Sequence, residues 1–90
     1  MKTIEELKYF LIDTLPDEHI YLFGSRARGE ASPYSDIDIA IEGSRPLKKE
    51  LAQVRFTIEE SGLPYKVDLV DLAQAPYLQT IIHKEGVSWH

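Results

Sequence analysis

Ninety residues allow one small domain spanning residues 1–90, since domains typically run to roughly 100–150 residues and two would not fit. Fifteen acidic against ten basic side chains, a net charge of -5, argue against direct binding of DNA by phosphate neutralisation over a broad face. The absence of cysteine excludes disulfide scaffolds, zinc–thiolate centres and thiol nucleophiles, while a 43% hydrophobic content suffices for a single core.

Thr3 and Glu6 have the spacing of a capping box, and Ile4, Leu7, Phe10, Leu11 and Leu15 follow at three- and four-residue steps, predicting a helix that Pro16 ends. The alternation of charge and apolarity over Met1–Lys8 is unlike a signal peptide, and no run approaches the roughly 20 apolar residues of a membrane span, so a cytoplasmic protein with no membrane contact is expected. His19 to Phe23 is a short apolar and aromatic run that predicts a buried strand stopping at Gly24. Gly24 and Ser25 are expected to open a second helix, whose unpaired amides and dipole would favour a phosphate. Arg26 and Arg28 fall in that first turn, an unfavourable place for cations unless an anion is bound, and so read as phosphate ligands. Gly29 to Ser35, with Pro33 and Tyr34, reads as a loop.

From Asp36 to Glu42 the chain alternates strictly, with Ile37, Ile39 and Ile41 on one side and Asp36, Asp38, Ala40 and Glu42 on the other, as in a half-buried strand. Ser44 and Pro46 are expected to cap and start a helix with Leu47, Leu51, Val54 and Ile58 inward, stopped by Gly62 and Pro64. A strand is predicted over Lys66–Val70, with Asp71 as an exit cap or turn residue, then a helix over Pro76–Glu85 and a short strand at Val87–Trp89. This order predicts an α/β domain of the two-layer α+β kind, a small mixed sheet with helices packed on it.

Two residues apart on one strand, Asp36 and Asp38 would project from the same face with Cα atoms about 6.5–7 Å apart. Two like charges at ~7 Å repel by about 0.6 kcal/mol in water and roughly 2.4 kcal/mol at an effective dielectric of 20. A cation between them reverses that sign, and oxygen-only ligands suit Mg2+ or Mn2+ shared with substrate phosphates. An isolated pair of this kind also occurs on an ordinary solvent-facing strand. Asp68, central in the third strand, adds a further carboxylate if the strands are neighbours, though it could instead pair with Lys66. A phosphate cradle and a carboxylate pair on consecutive strands are together what phosphoryl or nucleotidyl transfer needs. His19, His83 and His90 are too scattered to suggest a metal centre, and Tyr77 or Trp89 could belong to a partner interface.

The segment from Gly24 to Glu42, GSRARGEASPYSDIDIAIE, resembles the signature of the nucleotidyltransferase superfamily that includes DNA polymerase β, and in particular its minimal stand-alone members. A Gly-Ser after the first strand, ten intervening residues, two acidic residues separated by one, and a later third acidic residue are matched here by Gly24, Ser25, Asp36, Asp38 and Asp68. The resemblance implies that Gly24 and Ser25 hold the triphosphate of ATP, joined less firmly by Arg26 and Arg28. It further implies that Asp36, Asp38 and Asp68 form the catalytic set and bind Mg2+ or Mn2+, Asp68 also assisting deprotonation of the attacking hydroxyl. Larger relatives carry a further domain for the acceptor, for which this chain has no room. Minimal members pair with small helical HEPN proteins, so the resemblance implies a hetero-complex in which an antitoxin adenylylates a tyrosine of its toxin. The alternative is a non-catalytic binding module that neutralises its partner by contact.

Overall fold

The computed structural model describes residues 1–90. In chain order the elements are α1 (Ile4–Thr14), β1 (His19–Phe23), β2 (Ile37–Glu42), α2 (Lys48–Glu60), β3 (Val67–Asp71), a 3-10 turn (Pro76–Leu78), α3 (Gln79–Glu85) and β4 (Val87–Ser88). They form a mixed four-stranded sheet in the order β3-β2-β1-β4 with three helices, the α+β arrangement expected. β1 lies antiparallel to β2 and β4, whereas β2 and β3 are parallel, joined by the crossover helix α2.

Strand periodicity decides which residues meet. Ile37, Ile39 and Ile41 of β2 turn to one face with Ile20 and Leu69, and there meet Leu7, Leu11 and Leu15 of the first helical segment and Leu51, Val54 and Ile58 of α2. This is the main core, and its apolar positions are those the three- and four-residue spacing marked. The opposite face, carrying Asp38, Ala40 and Glu42, is covered at only one end, where Ile82 of α3 and Leu72 close on Ala40 with Tyr21, Phe23 and Val70 alongside. The Asp38 end of that face is left open.

Several boundaries differ from the sequence expectations, each for a local reason. The α1 cap forms as anticipated, the Thr3 side chain accepting from the Glu6 amide at 3.1 Å. No helix follows β1. Gly24–Gly29 makes a turn held by Arg28 N–H to Gly24 O at 3.2 Å and Glu30 N–H to Ser25 O at 2.9 Å, bounded by two glycines of positive φ. So short a segment offers few bonds against the cost of helix nucleation. α2 starts at Lys48, with Leu47 rather than Ser44 at its N-cap and no side-chain cap bond. Burial of Leu47 in the core fixes that end in place of a polar cap. β2 begins at Ile37, leaving Asp36 one residue outside the strand. Asp71 does form the expected exit turn, its Oδ1 accepting from the Ala73 amide at 3.0 Å.

α3 has only seven residues and is tied to the sheet by polar contacts as well as by Ile82. The Glu42 carboxylate accepts from Gln79 Nε2 at 2.8 Å, bonds His83 Nε2 at 3.0 Å and receives the Tyr21 hydroxyl at 3.4 Å. Burial raises the Glu42 carboxyl, but the hydrogen bonds from Gln79 and His83, the His83 charge and the Tyr21 hydroxyl outweigh it, so the group lies below its ordinary 4.5. A carboxyl lowered on folding stabilises the fold above its unfolded value, and that contribution disappears as pH falls through the lower folded value. We therefore expect Glu42→Gln to be less stable than wild type at pH 6. In urea unfolding titrations the gap should persist to about pH 4.5 and close as the pH falls below it, whereas a gap unchanged by acid would refute the tie.

Candidate functional site

The open end of the sheet holds the acidic residues because of strand register. Asp38 is paired with Asp68 across the parallel β2–β3 ladder and with Phe23 across the antiparallel β1–β2 ladder. Paired residues share a face, so Asp38 and Asp68 stand side by side with strands about 4.8 Å apart. Asp36 lies just ahead of the strand. It is near enough that its charge, like that of Asp68, acts on Asp38. Asp36 and Asp68 are exposed and Asp38 is half-buried. The three are neighbours, yet no three acidic or histidine side chains of the chain are closed into a ligand set as they stand.

Asp38 carries the electrostatic burden of this arrangement. Its carboxyl is pushed above the ordinary 3.8, first by burial, then by Asp68 and Asp36, against a smaller opposing pull from Arg28 and Lys66. Two charges at ~5 Å repel by about 0.8 kcal/mol even in bulk water, and by more where solvent is partly excluded. Hard oxygen donors in a surplus of negative charge fit Mg2+ or Mn2+, which relieve that repulsion by binding.

The turn after β1 is pressed against this carboxylate. Gly24 has φ +75, and a Cβ at that position would run into Asp38 Oδ2, so both the backbone conformation and the space require glycine. The Gly-Ser turn thus lies directly over the acidic strand, with Arg28 close enough to lower the Asp38 carboxyl. Arg28 is otherwise engaged only with Glu30, at 3.2 Å between two well-exposed side chains, a pairing worth little and readily exchanged. Arg26 behaves differently. Its Nη2 donates to Ser35 O at 2.8 Å, its guanidinium lies over the Tyr65 ring at 5.1 Å, and its Nε is buried without a partner.

Asp68 also borders a cavity of about 420 Å³ between α2 and the edge strand β3, lined in part by Leu63, Tyr65, Lys66 and Ile58. Tyr65 and Lys66 escaped notice in the sequence as site residues. A Tyr-Lys pair just before a strand has many ordinary explanations, and only the sheet brings them beside residues from the first half of the chain.

The chain matches the family described as polymerase beta, nucleotidyltransferase, over residues 5–88. The chain belongs to the polymerase β nucleotidyltransferase family. Within the family, it is 44% identical over 69 residues to a Haemophilus influenzae protein named "Probable protein adenylyltransferase MntA", covering 74% of this chain and 60% of that one. The chain thus spans less than two thirds of that relative's length. A Methanocaldococcus jannaschii protein, also provisionally assigned as a protein adenylyltransferase, is 34% identical over 96 residues, covering 94% of this chain and 96% of that one. Among solved structures, a toxin–antitoxin crystal structure with AMP-PNP aligns with a TM-score of 0.77 at 30% identity, over 98% of this chain and 73% of that chain. A mutant MntA–HpeT toxin–antitoxin structure aligns at 0.74 and 27% identity, over 96% and 70%.

Because the folded Asp38 carboxyl is raised, its ionised form opposes folding at neutral pH, an effect that vanishes below 3.8 where the group is protonated in both states. Asp38→Asn also removes a repulsion of about 0.8 kcal/mol across ~5 Å, and should raise Tm by about 3–6 °C at pH 7 without divalent cations. That gain should shrink when Mn2+ is added, as the wild type alone is stabilised; an Asn variant less stable than wild type in metal-free buffer would contradict the account. Gly24→Ala should displace the turn from Asp38, and titration with a fluorescent ATP analogue in Mn2+ should show affinity weakened on the order of 10-fold or more.

Proposed function

We propose that this chain is a metal-dependent nucleotidyltransferase that transfers AMP from ATP to a hydroxyl of a protein partner. The acceptor in this reading is a tyrosine on a HEPN-type toxin, and the chain serves as the antitoxin in the cytoplasm. The observation that carries it is the in-register pairing of Asp38 with Asp68 beneath the Gly24 turn. Supporting it are the names of relatives as protein adenylyltransferases and the likeness to a toxin–antitoxin structure with AMP-PNP.

The residues divide the work as follows. Amides of the Gly24–Ser25 turn, with the Arg28 guanidinium, hold the triphosphate above β2. Asp36, Asp38 and Asp68 would hold Mg2+ or Mn2+, which when bound neutralises the carboxylates and draws charge from the phosphates. The acceptor approaches from the side of Asp68, the exposed member of the pair next to the α2–β3 cavity. Its hydroxyl oxygen attacks the α-phosphorus, the bond from that phosphorus to the bridging oxygen of the β-phosphate breaks, and pyrophosphate leaves. Asp68 takes the hydroxyl proton, and the product is a phosphodiester on the partner. Half-burial of Asp38 keeps part of the site out of bulk water, which strengthens each of these electrostatic contacts.

The carboxylates are not closed around a point as they stand, which keeps a second reading open, that of a module neutralising its partner by contact. Incubation with α-labelled nucleoside triphosphates, Mg2+ and the co-purified partner separates the two. We expect label on the partner, ATP preferred, and a loss on the order of 1,000-fold or more in the Asp36→Asn/Asp38→Asn double variant with the complex retained. No label with any triphosphate, together with full neutralisation by the double variant, would favour contact alone.

A further inference from the structure

Arg26 has much of its donor fork turned into the protein rather than toward a phosphate. A guanidinium that captures phosphate needs its fork of N–H donors free to face the anion. Here Nη2 is committed to the Ser35 carbonyl at 2.8 Å, with the Pro33 carbonyl at 3.5 Å, and the guanidinium carbon lies over the Tyr65 ring. Nε is buried with no acceptor. A buried donor left unpaired is destabilising, so packing alone would favour a side chain without it. Something other than local stability accounts for this arginine.

The contacts themselves indicate what. Arg26 is part of the turn that begins at Gly24, Ser35 immediately precedes Asp36, and Tyr65 lies three residues ahead of Asp68. One side chain therefore touches all three segments that carry the site: the phosphate turn, the approach to the aspartate pair, and the approach to the third aspartate. Outside the regular ladders, the other direct link between the last two is the Ile37 amide bonding Lys66 O at 2.9 Å. We propose that Arg26 is a positioning residue that clamps these segments together through Ser35 and Tyr65, leaving the capture of phosphate to Arg28 and the turn amides. Asp36, one residue outside β2, is the acidic residue that the sheet constrains least, and so the one most dependent on the clamp.

The clamp itself is a property of the free protein; its kinetic consequence rests on the nucleotidyl-transfer reading. The test uses Arg26→Lys, Tyr65→Leu, Tyr65→Phe and the Arg26→Lys/Tyr65→Leu double variant, each checked for an intact fold by its Tm. In the metal-free protein, Arg26→Lys and Tyr65→Leu should both shift the backbone amide resonances of Asp36 and Asp68, while Tyr65→Phe, which keeps the ring, should match wild type. In transfer assays the first two should lower kcat on the order of 100-fold, as expected of a small misplacement, with KM for the triphosphate within about 3-fold of wild type. The double variant should be little worse than either single one, since the two residues act as a unit.

A phosphate ligand would give the reverse, a raised KM with Tyr65→Leu silent, and that pattern overturns the proposal. So do Asp36 and Asp68 amides that stay in place in both variants. If those amides move but the wild type transfers nothing, the nucleotidyl-transfer reading fails and the clamp stands. If wild type and Arg26→Lys are equally active with unmoved amides, the clamp fails and the reading stands.

Discussion

Mutual repulsion of three carboxylates is the constraint around which this small fold is arranged. A parallel ladder sets Asp38 beside Asp68, and the chain just before β2 brings Asp36 within reach of the same charge. Burial first, and then Asp68 and Asp36, hold the Asp38 carboxyl above its ordinary value despite Arg28 and Lys66. Isolated, such an arrangement lowers stability; in the proposed reading, a divalent cation and a triphosphate would relieve it. In the proposed reading, that cost in stability is exchanged for function.

The remainder of the structure holds that feature rigidly. Three isoleucines of β2 anchor one face of the strand against α1 and α2, so Asp38 between them is held on the opposite face. The short α3, held through Glu42, covers only the far end of the exposed face and leaves the acidic end accessible. Gly24 closes the turn down onto Asp38, setting its backbone against that carboxylate without a side chain between. Charge that would otherwise drive the segments apart is thus opposed by an apolar core on one side and a close backbone contact on the other.

Much of this was legible in the sequence, for identifiable reasons. The strict alternation over 36–42 and the helical spacing of Leu47, Leu51, Val54 and Ile58 reflect burial directly, so strand, helix and core residues follow from periodicity. That Asp68 would join the pair required β3 to neighbour β2 in parallel, which the intervening helix suggests but whose register no local pattern determines. The segment after Gly24 read as a helix because its residues suit a helix start, whereas the two positive-φ glycines confine it to one turn. Leu47 at the cap of α2 shows packing overriding polar capping, which propensity does not register. Arg26 was the least readable residue. Its partner Tyr65 is 39 positions away in the sequence, and nothing near Arg26 distinguishes a clamp from a ligand.

In the proposed reading, Asp36, Asp38 and Asp68 share one cation with a nucleotide held by the Gly24–Ser25 turn. A crystal structure with Mn2+ and a non-hydrolysable ATP analogue tests it most directly, through the anomalous signal of manganese. A manganese peak is expected bonded to Asp36 and Asp38 and to analogue phosphates, with Asp68 turned toward it and the phosphates under the turn amides. A well-ordered analogue bound elsewhere, or no manganese between the two strands, would contradict it.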